Sequence, residues 1–331
     1  MPEPADMALL DVRNLFVRLG SPEATINVVR DASFRVDNGE IVGILGESGC
    51  GKSLTVLSIL GLLSPGLQAS GQILFEGRNR LALDEAALCK LRGDRIGMIF
   101  QEPMTALNPV KTVGEQVAEP LRLHGKARGR QARAEALRLL ERIRLPNPRA
   151  ALDAYPHQLS GGQRQRVVIA MAIACRPSLL IADEPTTALD TTMQRQILDL
   201  LIELVDETRS GLLLITHDVG VMAETTDRVL VMYGGAIVEE GPTADLIATP
   251  AHPYTRALLR AIPQRALGSD ARLEAIPGTV PAPSVGQHGC LFRTRCAVAL
   301  PECETQPALV TTGASRQAAC WRVPGTEAAV S

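Results

Sequence analysis

The chain has 331 residues, 46% hydrophobic and 21% charged, and 34 basic against 36 acidic side chains leave a formal charge of -2. That length is enough for one large domain with an appendage, or for two modest domains, and it buries a substantial core. The composition argues against a disordered or membrane-embedded chain, and the near-neutral balance argues against nucleic acid or an anionic membrane as the main ligand.

The first stretch, MPEPADMALLDVRNLFVRLG, carries acidic residues and no basic segment followed by an apolar one. A secretory signal is therefore not expected, and the chain is expected to stay in the cytosol. Up to about residue 37 apolar and polar residues alternate, as in VVRDASFRV, which predicts half-buried strands meeting at turns. GEIVGILG, residues 39–46, reads as a short buried strand running into GESGCGKS, residues 46–53. Residues 54–75 carry no charge but are broken by Ser64, Pro65, Gly66, Gln68 and Gly71, so a buried helix, a turn and a strand are expected rather than a membrane span.

Residues 126–144 are predicted to be helical, with Ala134, Leu137, Leu140 and Ile143 on roughly one face and arginines over the others. The arginines read as a solvated face rather than a nucleic-acid arm. SLLIADEP predicts a second buried strand, TTMQRQILDLLIELVDETRS a helix and GLLLITHD a third strand. Strand and helix alternate, so a parallel sheet covered by helices is expected. After about residue 254 the texture changes to prolines and glycines, and four of the seven cysteines lie beyond residue 289, which marks a separate C-terminal module.

Gly46, Gly51, Lys52 and Ser53 match the G-x-x-x-x-G-K-[ST] phosphate loop, with Glu47, Ser48, Gly49 and Cys50 filling its free positions. Backbone N–H groups and a helix N-terminus surround phosphate in such a loop, the lysine reaches the β- and γ-phosphates, and the hydroxyl binds magnesium. Cys50 has no required part in that chemistry and reads as a small filler for turnover. Lys52, the converging N–H groups and the helix start are nevertheless expected to stabilise its thiolate, making it reactive toward maleimide unless MgATP is bound. Asp183 and Glu184 end the apolar run LLIADE at the carboxyl end of a strand, where open parallel sheets bind ligands. Asp183 is expected to hold magnesium and Glu184 to accept a proton from an attacking water.

Between these two sites stands LSGGQ, residues 159–163, which resembles the signature of the ATP-binding-cassette (ABC) family. The other family motifs follow in order: Gln101 in IFQEPMTALNP resembles the Q-loop, TALD ending at Asp190 the D-loop, and His217 in LLLITHD the switch histidine. The resemblance implies a P-loop NTPase cassette over residues 8–260, an α/β fold with a mixed sheet core and antiparallel-β and helical subdomains. It also implies that Gln101 touches magnesium and that Gln101 and His217 sense the γ-phosphate. Ser160, Gly161, Gly162 and Gln163 are expected to open a helix whose N-terminus meets the γ-phosphate of ATP held by a second cassette. One departure stands out: the family stacks adenine on an aromatic residue late in the first strand, and the matching position is Leu19, while Phe16 leaves the other face.

HPYTRALLRAIP, IPGTVPAPS and GCLFRTRC resemble the C-terminal region of ATPase subunits from dipeptide, oligopeptide and nickel importers. This implies a module over residues 261–331, a location at the cytoplasmic face of the membrane, and a second ATPase subunit, two permeases and an extracytoplasmic solute-binding protein as partners. Cys290, Cys296, Cys303 and Cys320, separated by five, six and sixteen residues, are the usual complement of thiolates for an iron–sulfur cluster or a structural zinc. The C-x2-C spacing of zinc ribbons is absent and some relatives carry a four-iron cluster, so 4Fe-4S is expected over zinc or four unrelated thiols. The expected activity is ATP hydrolysis coupled to solute import. The rival readings are a soluble cassette acting on DNA or the ribosome, and an iron–sulfur sensor with regulatory ATP.

Overall fold

The computed structural model describes residues 8–21, 24–187, 189–261 and 276–323. In chain order the elements begin with β1 (Leu10–Ser21), β2 (Ala24–Val36), β3 (Ile41–Leu45), α1 (Lys52–Leu60), β4 (Leu67–Phe75), β5 (Arg78–Asn79), α2 (Glu85–Leu91) and β6 (Ile96–Ile99). There follow α3 (Pro103–Ala106), α4 (Val113–Leu123), α5 (Gly129–Arg142), α6 (Pro148–Ala151), α7 (Gly161–Ile173), β7 (Leu179–Asp183), α8 (Thr191–Thr208) and β8 (Gly211–Thr216). The last elements are α9 (Val219–Thr225), β9 (Arg228–Tyr233), β10 (Ala236–Pro242), α10 (Thr243–Ala248), α11 (Pro253–Arg260), β11 (Val310–Gly313) and β12 (Arg316–Ala318).

The contacts divide into two compact units. The first is built mainly of Val36–Glu40 and Ala82–Ile215. Its strands β6, β7 and β8 are parallel, with Ile96 opposite Leu179 and Leu179 opposite Gly211. All five residues of β7 are buried, as the near-continuous apolar run of a strand covered on both faces requires. Gly97 is needed on β6 because a Cβ there would stand 2.4 Å from the Ala172 carbonyl oxygen on α7. The helix expected over 126–144 forms as α5, but its buried face is Ala132, Ala136, Leu139 and Leu140. Ala134 is exposed and Leu137 only half-buried, so half of the expected apolar face is corrected, while Leu140 and Ile143 are buried as read.

The second unit comprises Leu10–Arg35, Ile41–Leu81 and the described residues from Thr216 onward. One of its sheets has the order β2-β1-β4-β5, with β1 and β4 antiparallel from Leu10 opposite Phe75 to Leu19 opposite Leu67. The uncharged 54–75 stretch is thus helix, turn and strand as expected, and among the described residues no helix is long and apolar enough to cross a membrane. The unit's other strands run β11-β12-β10-β9-β3, and only the β3–β9 pair is parallel. Strands β11 and β12 extend the β10 edge, with Glu239 opposite Ala318. The core here is aromatic at its centre: Phe292 meets Tyr233 edge-on at 5.2 Å and lies 5.4 Å from Tyr254, and all three rings are buried.

Candidate nucleotide site and a four-cysteine cleft

Strand β3 ends at Leu45 and α1 begins at Lys52, so residues 46–51 form a tight loop at a helix N-terminus. Glycine is obligatory at 46, where a Cβ would come within 2.3 Å of the Met232 carbonyl oxygen. Gly49 and Gly51 take φ of 79° and 100°, the left-handed region that side chains avoid. Lys52 is buried, and its Nζ donates to the carbonyls of Gly46 at 2.7 Å and Glu47 at 2.9 Å, while Ser48, Gly49 and Ser53 are exposed. The strand end, glycine turns and helix start thus fall where the sequence predicts them.

Two features of the loop differ from expectation or were not foreseen. Cys50 is fully buried, and burial pushes its thiol up from the usual range although Lys52 Nζ lies 3.8 Å from the sulfur and pulls the other way. The expected reactive thiolate is thus corrected, because desolvation of the charged form outweighs the nearby cation. The second feature is Glu47, whose carboxylate receives Arg295 Nη1 at 2.6 Å and Nη2 at 3.0 Å, and whose N–H donates to Tyr254 Oη at 2.9 Å. Arg295 and Tyr254 lie more than two hundred residues from the loop. Arg295 stands inside GCLFRTRC, but nothing in that stretch pairs it with Glu47. An aromatic content of 3% is the one faint signal that a tyrosine in HPY is worth placing.

In the other unit β7 delivers Asp183, buried at the strand's end, and the chain then turns sharply. Glu184 has φ 46°, an uncommon conformation for a large side chain, and its N–H donates to the Ile215 carbonyl at 2.9 Å. That turn aims the carboxylate at the Q-loop: Glu184 Oε2 accepts from Gln101 Nε2 and from Thr187 Oγ1, each at 3.0 Å. Two donors, Gln101 from the Q-loop and Thr187 from Glu184's own turn, converge on one oxygen, and Thr187 reads in the sequence only as the first residue of TALD. Within this unit Gln101 and Asp183 offer amide and carboxylate oxygens, hard donors of the kind that suit magnesium.

Ser160 is the N-cap of α7, accepting from Gln163 N–H at 3.3 Å while Gln163 Oε1 accepts from Ser160 N–H at 2.9 Å. This reciprocal capping box leaves the exposed Gly161 at the helix start, with open space around its Cβ position. Gly162 is buried, and a Cβ there would meet Met193 Cε of α8 at 2.2 Å. Asp190 caps α8, its Oδ1 accepting from Met193 N–H at 2.8 Å. Ala188 of the D-loop lies outside the described residues. In the second unit His217 is exposed between β8 and the Asp218 N-cap of α9.

Cys290, Cys296, Cys303 and Cys320 all line one small cleft, with His252 and Phe292 in its wall. Cys290 N–H donates to the Cys303 carbonyl at 2.9 Å, which ties two of the thiol-bearing turns together. Burial raises the Cys290 thiol to about 11, with the neighbouring cysteines adding to the effect. His252 is buried as the N-cap of α11, accepting at Nδ1 from Tyr254 N–H at 3.0 Å, and its pKa is lowered to about 3. Among the described residues no group of three or more His, Cys, Asp or Glu side chains is arranged to hold a metal ion. The four sequence-predicted cysteines thus line one cleft without forming such a group, and the expected iron–sulfur cluster gains no support from their arrangement.

Residues 29–187 match the family described as ABC transporter, and residues 238–303 match the C-terminal region of oligopeptide/dipeptide transporters. The chain is 49% identical over 317 residues to a probable peptide ABC transporter ATP-binding protein of Sinorhizobium fredii, covering 95% of both chains. This chain belongs to the ABC transporter ATP-binding proteins. It is also 46% identical over 316 residues to the dipeptide transport ATP-binding protein DppD of Escherichia coli, covering 95% of this chain and 96% of that one. Among solved structures it resembles the ATP-binding cassette MJ0796, determined as a dimer in a post-hydrolysis state bound to ADP and Pi, with a TM-score of 0.63 and 32% identity over 71% of this chain and 98% of that one.

Within this ABC chain the position expected to face adenine is exposed but aliphatic. Leu19 is 42% exposed and pairs with Leu67 across β1 and β4. Phe16 is occupied by a neighbour, with the Arg18 guanidinium 5.0 Å from its ring centroid.

Proposed function

We propose that this chain is the ATP-hydrolysing, energy-coupling subunit of an importer for dipeptides, oligopeptides or a related small solute such as nickel. The observation that carries this reading is the match to peptide-transport ATP-binding proteins along 95% of the chain. The same length of match favours it over a cassette acting on DNA or the ribosome and over a sensor. Residues 8–260 are assigned to the cassette and 261–331 to the C-terminal module.

In this reading Gly46 to Ser53 cradle the nucleotide phosphates, and Lys52 supplies the cation that follows charge to the γ-phosphate. Ser53, Gln101 and Asp183 would hold magnesium, which when bound draws charge from the phosphate oxygens. Glu184 is the base that takes the proton of the attacking water, and its bond to Gln101 ties that base to the Q-loop. His217 senses the γ-phosphate. Ser160 to Gln163 present a helix N-terminus to the ATP of a second ATPase subunit, with Asp190 alongside as the D-loop residue.

Two permeases and an extracytoplasmic binding protein complete the assembly, and the chain lies peripherally at the cytoplasmic face of the membrane. Support for permease docking beside the Q-loop comes from Phe100 and Met104, 42% and 63% exposed on either side of Gln101. The four cysteines of the cleft are assigned to a 4Fe-4S cluster. Its support is the cysteine spacing and the thiolate donor set.

The test is reconstitution of the chain with its permeases in vesicles. Peptide-loaded binding protein should stimulate hydrolysis of MgATP, and Glu184→Gln should abolish that stimulation. A complex that hydrolyses ATP equally with and without every peptide or nickel ligand supplied would overturn the importer reading. Iron and sulfide analysis of anaerobically purified protein, with Cys296→Ser as control, tests the cluster.

A further inference from the structure

A glutamate inside a phosphate loop poses an electrostatic difficulty, because its carboxylate stands beside the polyphosphate the loop must hold. The structure shows how Glu47 is handled. Its carboxylate is met by both terminal nitrogens of Arg295, at 2.6 and 3.0 Å, and the guanidinium is only 4% exposed. Arg295 is itself fixed by Nε donating to the Pro277 carbonyl at 2.7 Å and Nη1 donating to Tyr233 Oη at 3.3 Å. The remaining polar groups of Glu47 are engaged too, its N–H by Tyr254 and its carbonyl by Lys52.

We propose that Arg295 is a positioning residue for nucleotide binding: it supplies the counter-charge that makes Glu47 tolerable beside ATP, so the C-terminal module sets the affinity of the phosphate loop. The inference rests on assigning residues 46–53 as the nucleotide site. Bidentate pairing with a buried arginine fixes the carboxylate, itself 30% exposed, and offsets its charge. Removing the arginine leaves an unpaired anion on the phosphate loop, whereas replacing the glutamate by glutamine keeps the shape and an acceptor for Arg295 but removes the anion. A pair that acted only as a structural brace would make both substitutions harmful. Charge compensation gives them opposite consequences.

The test is calorimetric titration of the full chain and its variants with MgATP and with MgADP. Arg295→Met should weaken MgATP binding by about fivefold or more, the lower end of couplings between sites. The loss should be larger for MgATP than for MgADP, a charge dependence that a folding defect does not produce. Glu47→Gln should bind MgATP at least as tightly as the parent, and adding it to Arg295→Met should restore most of the affinity. Parental affinity in Arg295→Met, or weakened binding in folded Glu47→Gln, overturns the proposal. If Arg295→Met fails to fold, Glu47→Gln decides alone by the same criterion. A parent chain that binds neither nucleotide removes the nucleotide-site assignment, and this inference with it, before any variant is compared.

Discussion

Gln101 Nε2 donates to Glu184 Oε2 at 3.0 Å, and Thr187 Oγ1 donates to the same oxygen at the same distance. The residue assigned as general base is thus held by the Q-loop on one side and by its own turn on the other. Its left-handed backbone, φ 46°, directs the side chain toward both partners.

Glu184→Gln preserves the size of the side chain and an oxygen for these two donors, so the fold and nucleotide binding should persist. Hydrolysis should fall by about 10²-fold or more, the scale of losing a general base. The ATP-bound closed dimer should then accumulate. Single-turnover hydrolysis in the assembled transporter is the measurement, and a parental rate there would remove Glu184 from the role of base.

The parts of this molecule most legible in the sequence are those whose chemistry is local. GESGCGKS, LLIADE and LSGGQ each specify a strand end or helix start within a few residues, and the loop, β7 and the Ser160 capping box form where those residues predict. What was not legible depends on long-range packing. The edge strands β11 and β12 join β10 through residues some eighty positions away, which no periodicity encodes. Cys50 reads as activated because Lys52 is its sequence neighbour, but its burial is set partly by a glycine it packs against, with a Gly46 Cβ position only 2.8 Å from the sulfur. Arg295 becomes meaningful only once the chain has returned to the phosphate loop.

Helix α5 offers a test of its corrected face. Ala132 is completely buried whereas Ala134, two residues on, is exposed. Ala132→Glu places an unpaired carboxylate in an apolar setting and should cost several kcal/mol or prevent folding. Ala134→Glu should change stability by no more than about 0.5 kcal/mol. Urea unfolding of the two variants separates the faces, and a larger loss for Ala134→Glu than for Ala132→Glu would return the helix to the face read from the sequence.

Asp190 has one observed role, as a helix cap, and one proposed, in the D-loop, and substitution can separate them. Its Oδ1 caps α8 by accepting from Met193 N–H, and asparagine can do the same. Asp190→Ala should therefore lose about 1 kcal/mol of stability while Asp190→Asn loses little. If the carboxylate also serves the D-loop, Asp190→Asn should lower coupled hydrolysis without lowering the melting temperature. Asn and Ala variants that are equally active and differ only in stability would confine Asp190 to capping.

Cys50 is the residue on which sequence and structure disagree most sharply, and alkylation decides between them. The thiol is fully buried and its pKa is raised, so at neutral pH it holds less thiolate than an ordinary cysteine and presents none of it to solvent. Cys89 on α2 is exposed and serves as an internal reference. N-ethylmaleimide applied to the native chain at pH 7 should label Cys89 and leave Cys50 unmodified, with or without MgATP, as read by mass spectrometry of peptides. Raising the pH should speed labelling of Cys89 first, and Cys50 should become reactive only where denaturant opens the loop. Cys50→Ser should bind MgATP like the parent, since a serine hydroxyl fits the same space and can accept from Lys52. Rapid labelling of native Cys50 that MgATP suppresses would show instead that the loop opens readily, and that the cation and helix start, not burial, govern this thiol.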